Sequence, residues 1–166
     1  MALTRLIELL ERLDEAHQQM LELAATKKDA IMDNKVEGIV EILNRESKLM
    51  KLTGQLEEQR AEAAYAFLQG VGIRSNLNLN LTELSRLVFD PDDKSRLLHI
   101  QRKLSDTLQS LKKANELNQK LIEQSLTFID YSLDILVGRP NQEITYHHPS
   151  EKSGGISRPG LFDARG

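Results

Sequence analysis

The side chains of this sequence that are best suited to metal binding or acid–base catalysis are four histidines, His17, His99, His147 and His148. Imidazole binds zinc and exchanges protons near neutral pH, but both tasks need further groups at fixed positions. Only the last two histidines are close in sequence, and no third ligand has a fixed position beside them. We therefore predict no metal site. His17 lies on the apolar seam of the first predicted helix and is interpreted as a structural residue.

Other kinds of catalytic site have equally little support. The chain has no cysteine, which excludes thiolate nucleophiles, thiolate zinc sites and disulfides. It contains neither of the glycine-rich motifs that bind nucleotide phosphates. The acidic run from Asp90 to Asp93 includes Pro91 and has the composition of a helix start rather than of a cation site. The sequence predicts a protein that is not an enzyme and needs no cofactor.

The polar residues in the most informative positions lie on the seam of the last predicted helix, and they are Asn115, Asn118, Ser125 and Ser132. Apolar residues at these positions would give the tightest packing against neighbouring helices. Two interpretations remain open. The polar side chains either fix the register of a helical bundle or form hydrogen bonds with an incoming segment of another protein.

The same helix carries more apolar residues than one neighbouring helix can cover. A helix on the surface of a bundle needs an apolar stripe little wider than about 100°. Between Leu117 and Val137 the apolar residues form three rows, which are Leu121, Phe128 and Ile135; Ile122, Ile129 and Leu136; and Leu126 with Leu133. These rows cover more than half of the circumference. Either several helices surround this segment, or part of its surface binds another chain.

The elements that position these residues are predicted to be helices throughout, so the fold class is all-α. The 166 residues are poor in aromatic side chains, at 4%, and rich in residues with high helix propensity. Steps of three and four residues between apolar positions predict an antiparallel helical hairpin plus a long third helix, in a coiled-coil-like three-helix bundle. One helical domain, residues 1–138, holds predicted helices at about 3–32, 35–69, 82–88 and 91–137. Residues 139–166 contain three of the four prolines and are predicted to be a disordered tail.

Local signals predict where the helices begin and how the second one packs. Asn34 followed by Glu37 predicts a capping box for the second helix, and Thr82 is the predicted cap of the short one. Residues 70–81 alternate apolar side chains with asparagines, which form strands poorly, and we predict an extended connector there. The seam by which the second helix is predicted to pack consists of Val36, Ile39, Val40, Leu43, Met50, Leu56, Ala63 and Phe67.

Charge and hydropathy narrow the classes of partner. The net charge of −3 is small and mixed in sign, so no nucleic-acid partner is predicted. Glu8 and Glu11 interrupt the N-terminal apolar residues and argue against a secretory signal. No apolar run approaches the roughly 18 residues that cross a bilayer. We predict a soluble cytoplasmic protein without stable membrane insertion.

One segment of the last helix resembles a known family. It reads Leu111-Lys-Lys-Ala-Asn115-Glu-Leu-Asn118-Gln-Lys-Leu121-Ile122-Glu-Gln-Ser125-Leu126-Thr-Phe128-Ile129. This is similar to the Asn-x-x-Asn-x-x-Leu-Leu stretch and the Ser-Leu-x-Phe-Ile run of the FlgN family, the flagellar export chaperones. The helix ending at Gly138 and the C-terminal Leu-Phe-Asp-Ala-Arg-Gly resemble those of Gram-positive members. Gln119 departs from the family's frequent Gly at this position, which predicts a straighter helix.

The resemblance implies a cytosolic chaperone for hook-associated (hook–filament junction) proteins, whose C-terminal helical segment it binds and keeps competent for flagellar type III export. Components of the export gate or the export ATPase are further partners that the resemblance suggests. The client-binding residues that we predict on this basis are Leu117, Asn118, Leu121, Ile122, Ser125, Leu126, Phe128, Ile129 and Leu133.

Two other functions compete with this interpretation. The first is a structural or adaptor coiled-coil protein whose third helix dimerises with itself, and a weak homodimer through that helix is compatible with the chaperone hypothesis as well. The second is peripheral membrane binding. It fits less well, because the lysines of the last helix mostly precede its most apolar turns and alternate with acidic residues.

Overall fold

The computed structural model describes residues 2–74 and 79–138. Every regular element in these two ranges is an α-helix, and the four helices are α1 (Ala2–Met32), α2 (Val36–Gly70), α3 (Leu81–Ser85) and α4 (Pro91–Val137). The predicted all-α class, with a helical hairpin followed by a long last helix, is confirmed. The predicted tail, residues 139–166, and residues 75–78 of the predicted connector lie outside the described residues.

The chain divides into two compact units, Met1–Leu121 and Ile122–Gly166, so the boundary falls within α4. The first unit contains α1, α2, α3 and the N-terminal part of α4. In the second unit the structure describes the C-terminal part of α4 and Gly138. The helices predicted within residues 1–138 are therefore distributed over two units.

α1 and α2 form an antiparallel hairpin. Near the start of α1, Arg5 donates a hydrogen bond to Gln59 Oε1 at 3.2 Å. Near its end, Lys27 Nζ lies 2.8 Å from a carboxylate oxygen of Glu46, and both side chains are largely buried. Residues later in α1 therefore contact residues earlier in α2, as expected for antiparallel helices. The short connection between the two helices leaves little alternative to this arrangement.

α1 is the central helix of the first unit. Leu6, Ile7, Leu9 and Leu10 are completely buried, although four such positions cannot all lie on one narrow stripe. The side chains that close around this end of α1 come from every other helix and from the segment after α3, and they include Leu56, Ala63, Phe67, Leu68, Leu84, Val88, Leu97, Ile100 and Leu104. Burial of each large side chain contributes about 1.5–3 kcal/mol relative to its exposed state, so this cluster is the main source of cohesion in the unit.

Within the first unit α4 runs parallel to α1. Thr107 Oγ1 donates to Asp14 Oδ1 at 2.7 Å, and further along both helices Asn118 Nδ2 donates to the carbonyl oxygen of Ala24 at 2.9 Å. The parallel direction is possible because the long α2 returns the chain to the start of α1 before α4 begins.

The seam predicted for α2 is only partly buried. Leu56, Ala63 and Phe67 belong to the core, and Ile39 is half-buried. Four residues predicted to pack within the chain are instead between 46% and 69% exposed, namely Val36, Val40, Leu43 and Met50. For these four the prediction is wrong. The reason is that the N-terminal half of α2 carries two apolar rows, and the hairpin buries the other row, which contains Ile42.

The turn between α1 and α2 also differs from the predicted one. Asn34 has a φ of 56°, its N–H donates to the carbonyl of Ile31, and the N–H of Lys35 donates to the carbonyl of Ala30. These bonds form a Schellman motif, which ends α1. The predicted capping box of Asn34 with Glu37 is wrong, because α2 has Lys35 as its N-cap and no side-chain cap. Asn is common at helix starts. Among residues other than Gly, however, it is also one of those that best tolerate the left-handed conformation.

α3 is shorter than predicted and begins with a different cap. Asn80 Oδ1 accepts from the N–H of Glu83 at 2.8 Å, and a carboxylate oxygen of Glu83 accepts from the N–H of Asn80 at 3.4 Å. This capping box makes Asn80, and not Thr82, the N-cap. The hydroxyl of Thr82 instead accepts from Gln101 Nε2 at 2.7 Å, which connects α3 to α4.

The remaining helix ends follow common capping rules. Gly72 has a φ of 91°, and the N–H of Ile73 donates to the carbonyl of Leu68 at 2.9 Å, so α2 also ends in a Schellman motif. The predicted start of α4 is confirmed, because Asp90 Oδ2 accepts from the N–H of Asp93 at 3.0 Å.

Candidate partner-binding surface

The C-terminal part of α4 exposes nearly all of its apolar side chains. From Ile122 to Gly138, none of the described residues is buried. Exposure reaches 68% at Phe128 and 81% at Leu136. We use the name C-terminal apolar surface for the exposed residues of the second unit, which are Ile122, Leu126, Phe128, Ile129, Tyr131, Leu133, Ile135, Leu136 and Val137.

Most of this surface forms two ridges along the helix. The first ridge follows steps of four and three residues and consists of Ile122, Leu126, Ile129, Leu133 and Leu136. The second consists of Phe128, Tyr131 and Ile135. At 100° per residue, the centres of the two ridges are separated by about 150° around the helix. A partner that covers both ridges must therefore lie along the side of the helix between them.

Small side chains occupy the side between the two ridges. Ser125 and Ser132 are seven residues apart, are half-buried by their neighbours and lie about midway between the ridges. Small residues at the centre of a helix surface let another helix approach closely, while the larger residues on both sides pack around it. The serine hydroxyls also supply hydrogen-bond donors and acceptors to an incoming segment.

The opposite side of this helix segment is polar. Glu123, Asp130 and Asp134 lie within one arc that is centred about 180° from the serine row. A side with three carboxylates in four turns is suited to contact with water rather than with an apolar partner. The second unit therefore offers one side of α4 for binding.

Three of the predicted client-binding residues belong to the first unit. Leu117 is 43% exposed, and Leu121 is half-buried. Asn118 is only 3% exposed, and its amide nitrogen donates to Ala24 in α1. Its placement agrees with the alternative interpretation, in which the polar seam residues fix the register of the bundle. We therefore leave Asn118 out of the surface that is available to a partner.

The structure adds residues that were absent from the predicted site. Tyr131, Ile135, Leu136 and Val137 are all more than half exposed and lie on the same helix segment as Phe128. The spacing contained a signal for two of them, because Ile135 and Leu136 repeat the positions of Phe128 and Ile129 seven residues later.

Metal chemistry finds no support within residues 2–74 and 79–138, which contain no group of three or more His, Asp or Glu side chains that could hold an ion. His17 is half-buried, and its Nδ1 lies 2.7 Å from the carbonyl of Leu13, the geometry of a hydrogen bond within one helical turn. His147 and His148 lie outside the described residues.

Among the helices described, none has the length and apolar character needed to cross a bilayer.

Comparison with known proteins identifies the family of this chain. Residues 1–154 match the family model described as FlgN protein. The chain is 31% identical over 141 residues to the uncharacterized protein YvyG of Bacillus subtilis (strain 168), an alignment that covers 85% of this chain and 84% of YvyG. No solved structure is significantly similar. Because the family model covers the helical hairpin, α3 and all of α4, the chain belongs to the FlgN family.

Proposed function

We propose that this protein is a cytoplasmic flagellar export chaperone that binds the C-terminal helical segment of hook-associated proteins and keeps them competent for export. Membership of the FlgN family supports the general role. The observation that carries the proposal is the exposure of Ile122, Leu126, Phe128, Ile129 and Leu133, together with the further members of the C-terminal apolar surface.

Exposure of this extent on one helix favours a partner because a contiguous apolar patch is costly to keep in water. Large apolar patches on soluble proteins usually mark sites of interaction. Each side chain that moves from water into an interface contributes about 25 cal/mol per Å² of apolar area buried. Phe128 and the aliphatic residues beside it would therefore supply most of the binding free energy.

The shape of the surface favours a helical client. An amphipathic helix placed over Ser125 and Ser132 would approach α4 closely and contact both ridges at once. A typical interface of this kind buries about 1,200–2,000 Å² in total, which is compatible with micromolar to nanomolar affinity. Binding alone is enough for such a chaperone, since a ligand that binds one state of the client holds it there by mass action.

The first test removes two large side chains from the surface. In the double variant Phe128→Ala with Ile129→Ala, we expect the affinity for the C-terminal segment of a hook-associated protein to fall about thirtyfold or more, because each truncation of a buried interface side chain costs about 1–2 kcal/mol. Isothermal titration calorimetry measures the affinity. Far-UV circular dichroism should show nearly unchanged helicity, since both side chains are exposed in the free protein.

The matched control is Phe89→Ala with Leu52→Ala. Phe89 is 91% exposed and Leu52 is 36% exposed, but both lie in the first unit. The control variant should bind the client as tightly as the original protein does. Equal affinity of all three proteins would reject the proposed site.

The rival hypothesis, a coiled-coil adaptor that self-associates through its last helix, uses the same residues. It requires a dimer that persists at low concentration and that Leu126→Glu dissociates. The chaperone hypothesis instead requires that Leu126→Glu abolishes client binding, and it allows at most a weak dimer of the free protein that dissociates on dilution. Sedimentation velocity of both proteins, with and without the client segment, distinguishes the two.

A further inference from the structure

A second exposed apolar row lies on α2, wholly within the first unit. We call it the α2 stripe, and it consists of Val36, Val40, Leu43, Ser47, Met50 and Gly54. The steps between its members are four, three, four, three and four residues, the spacing of a coiled-coil seam. Its four apolar members are between 46% and 69% exposed, and a Cβ atom on Gly54 would contact nothing.

The core of the first unit does not use this row. On α2 the buried residues are Ile42, Leu56, Ala63, Phe67 and Leu68. At 100° per residue, Ile42 lies about 120° from the centre of the α2 stripe. The residues of the α2 stripe have the spacing of a packing seam, but the chain itself does not bury them. We therefore interpret the stripe as a packing surface for another chain.

We propose that the partner is a second copy of this chain, whose α2 packs antiparallel on the first α2 about a twofold axis beside Asn44. The proposal goes beyond the chaperone function, because it concerns a different helix. Three features of the α2 stripe support it, namely the order of large and small residues, the order of charges along its edge, and the absence of competing ion pairs.

The first feature is the match of large to small residues. In an antiparallel pair centred on this axis, Val36 faces Gly54 of the second copy, Leu43 faces Ser47, and Val40 faces Met50. At two of these layers a large side chain therefore meets a small one, as in well-packed interfaces. The stripe extends over about 27 Å at 1.5 Å per residue, enough for a short two-stranded coiled coil.

The second feature is charge complementarity at the edge of the stripe. The residues in the flanking row are Glu37, Asn44 and Lys51, spaced seven apart and all exposed. In antiparallel coiled coils such flanking rows face each other, so Glu37 of one copy would meet Lys51 of the other, and Asn44 would meet Asn44. A parallel pair would instead place Glu37 beside Glu37 and Lys51 beside Lys51. The charges favour the antiparallel direction.

The third feature is that these charges are available. Among the described residues, neither Glu37 nor Lys51 has an ion-pair partner within 4.0 Å. Glu46, which lies on the other edge of the stripe, already pairs with Lys27 of α1. One edge of the stripe is thus occupied by the hairpin, and the other is free to recognise a second copy.

The test measures the oligomeric state of the full chain by sedimentation velocity from about 1 to 100 μM, a range that brackets a micromolar dissociation constant. We expect a reversible dimer. Leu43→Glu should leave only monomer. The matched control is Leu52→Glu on the same helix, because Leu52 is 36% exposed but lies about 160° from the stripe, so the dimer should persist.

A charge exchange tests the direction of packing. Lys51→Glu alone and Glu37→Lys alone should each weaken the dimer about tenfold or more, because each places two pairs of like charges together. The double variant should return to within about threefold of the original dissociation constant. Such a recovery would show that the single variants weaken the dimer through their charges and not through a loss of folding. Far-UV circular dichroism of each variant checks the helical content.

Several results would overturn the proposal. They are a chain that stays monomeric over the whole range, a dimer that Leu43→Glu leaves intact, or a double variant no tighter than the single ones. Loss of client binding in Leu43→Glu, in a chain that is monomeric before the change, would assign the stripe to the client instead. The proposed function is tested separately, since variants of the α2 stripe leave the C-terminal apolar surface unchanged.

Discussion

At the scale of single residues, Asp14 and Asn118, which are both buried between α1 and α4, differ in how many of their polar atoms have hydrogen-bond partners. Asp14, which is 1% exposed, accepts from Thr107 and Gln18, and Lys103 Nζ lies 3.6 Å from it. Asn118 donates to the carbonyl of Ala24, whereas its own Oδ1 is buried without a partner among the described residues. An unpartnered buried polar atom costs about 1–3 kcal/mol, so Asn118 gives up stability for a fixed register.

The first prediction concerns Asn118. Asn118→Leu should raise the free energy of unfolding by about 1 kcal/mol, because it removes the unpartnered oxygen and fills the same layer with an apolar side chain. Urea denaturation followed by circular dichroism measures the change. Client affinity should stay the same, since Asn118 is not on the exposed surface. A less stable variant would show that the bond to Ala24 outweighs the buried oxygen.

The second prediction concerns Asp14. Asp14→Ala should lower the free energy of unfolding by about 2–4 kcal/mol, because the change leaves a void and removes the acceptor of two hydrogen bonds. Asp14→Asn keeps one oxygen for Thr107 and should cost less than half as much. The same urea series measures both variants. Equal losses for the two would mean that the negative charge, and not the acceptor oxygen, stabilises this layer.

At the scale of elements, the hairpin turn depends on one residue in a left-handed conformation. Asn34 has a φ of 56°, which places a Cβ atom close to the backbone, and the strain of this conformation is smallest for Gly and Asn. The turn also positions the start of α2, and therefore the α2 stripe.

The third prediction tests this turn. Asn34→Gly should leave the free energy of unfolding within about 0.5 kcal/mol, whereas Asn34→Val should lower it by about 1–2 kcal/mol, the cost of a β-branched residue at positive φ. Thermal unfolding by circular dichroism distinguishes them. Equal melting temperatures for the two variants would mean that the turn adopts another conformation in solution.

The elements also show what the sequence can and cannot predict. The excess apolar rows of α4 could be predicted, because the rows that contain Phe128, Ile129 and Leu133 cover more of the helix circumference than one neighbouring helix can bury. The exposed row of α2 could not, because the spacing of Val36 and Leu43 shows that a side is apolar but not which chain covers it. The role of Asn34 cannot be predicted, because Asn is favoured both at helix starts and at helix ends, and only the backbone angle separates the two. Asn118 illustrates the same limit, because its spacing fits both of the interpretations left open.

At the scale of the whole molecule, the two units differ in what stabilises them. The first unit has a buried core, whereas none of the described residues of the second unit is buried. Helices of about 12–15 residues are only marginally stable in water unless tertiary packing supports them. The helical segment from Ile122 to Val137 therefore has little to hold it in one conformation before a client binds.

The fourth prediction follows from this difference. Amide hydrogens from Ile122 to Val137 should exchange rapidly in the free protein, and those of Leu6 to Leu13 slowly, because local opening is cheapest where few contacts are lost. Binding of the client segment should slow exchange in residues 122–137 at least about tenfold. Mass spectrometry of the deuterated protein measures both regions. Strong protection of residues 122–137 in the free chain would contradict the proposal that this surface is available.

The parallel packing of α4 on α1 has a consequence for how the chain folds. The bonds from Thr107 to Asp14 and from Asn118 to Ala24 join residues 93 and 94 positions apart, whereas the hairpin closes through a few residues around Asn34. Closing the longer loop costs more chain entropy, and the ribosome releases the second partner of each bond only after α1 and α2 have emerged. We therefore expect the hairpin to form during synthesis and α4 to dock in a later, slower step. Until α4 docks, only the contacts with α2 would keep the leucines of α1 out of water.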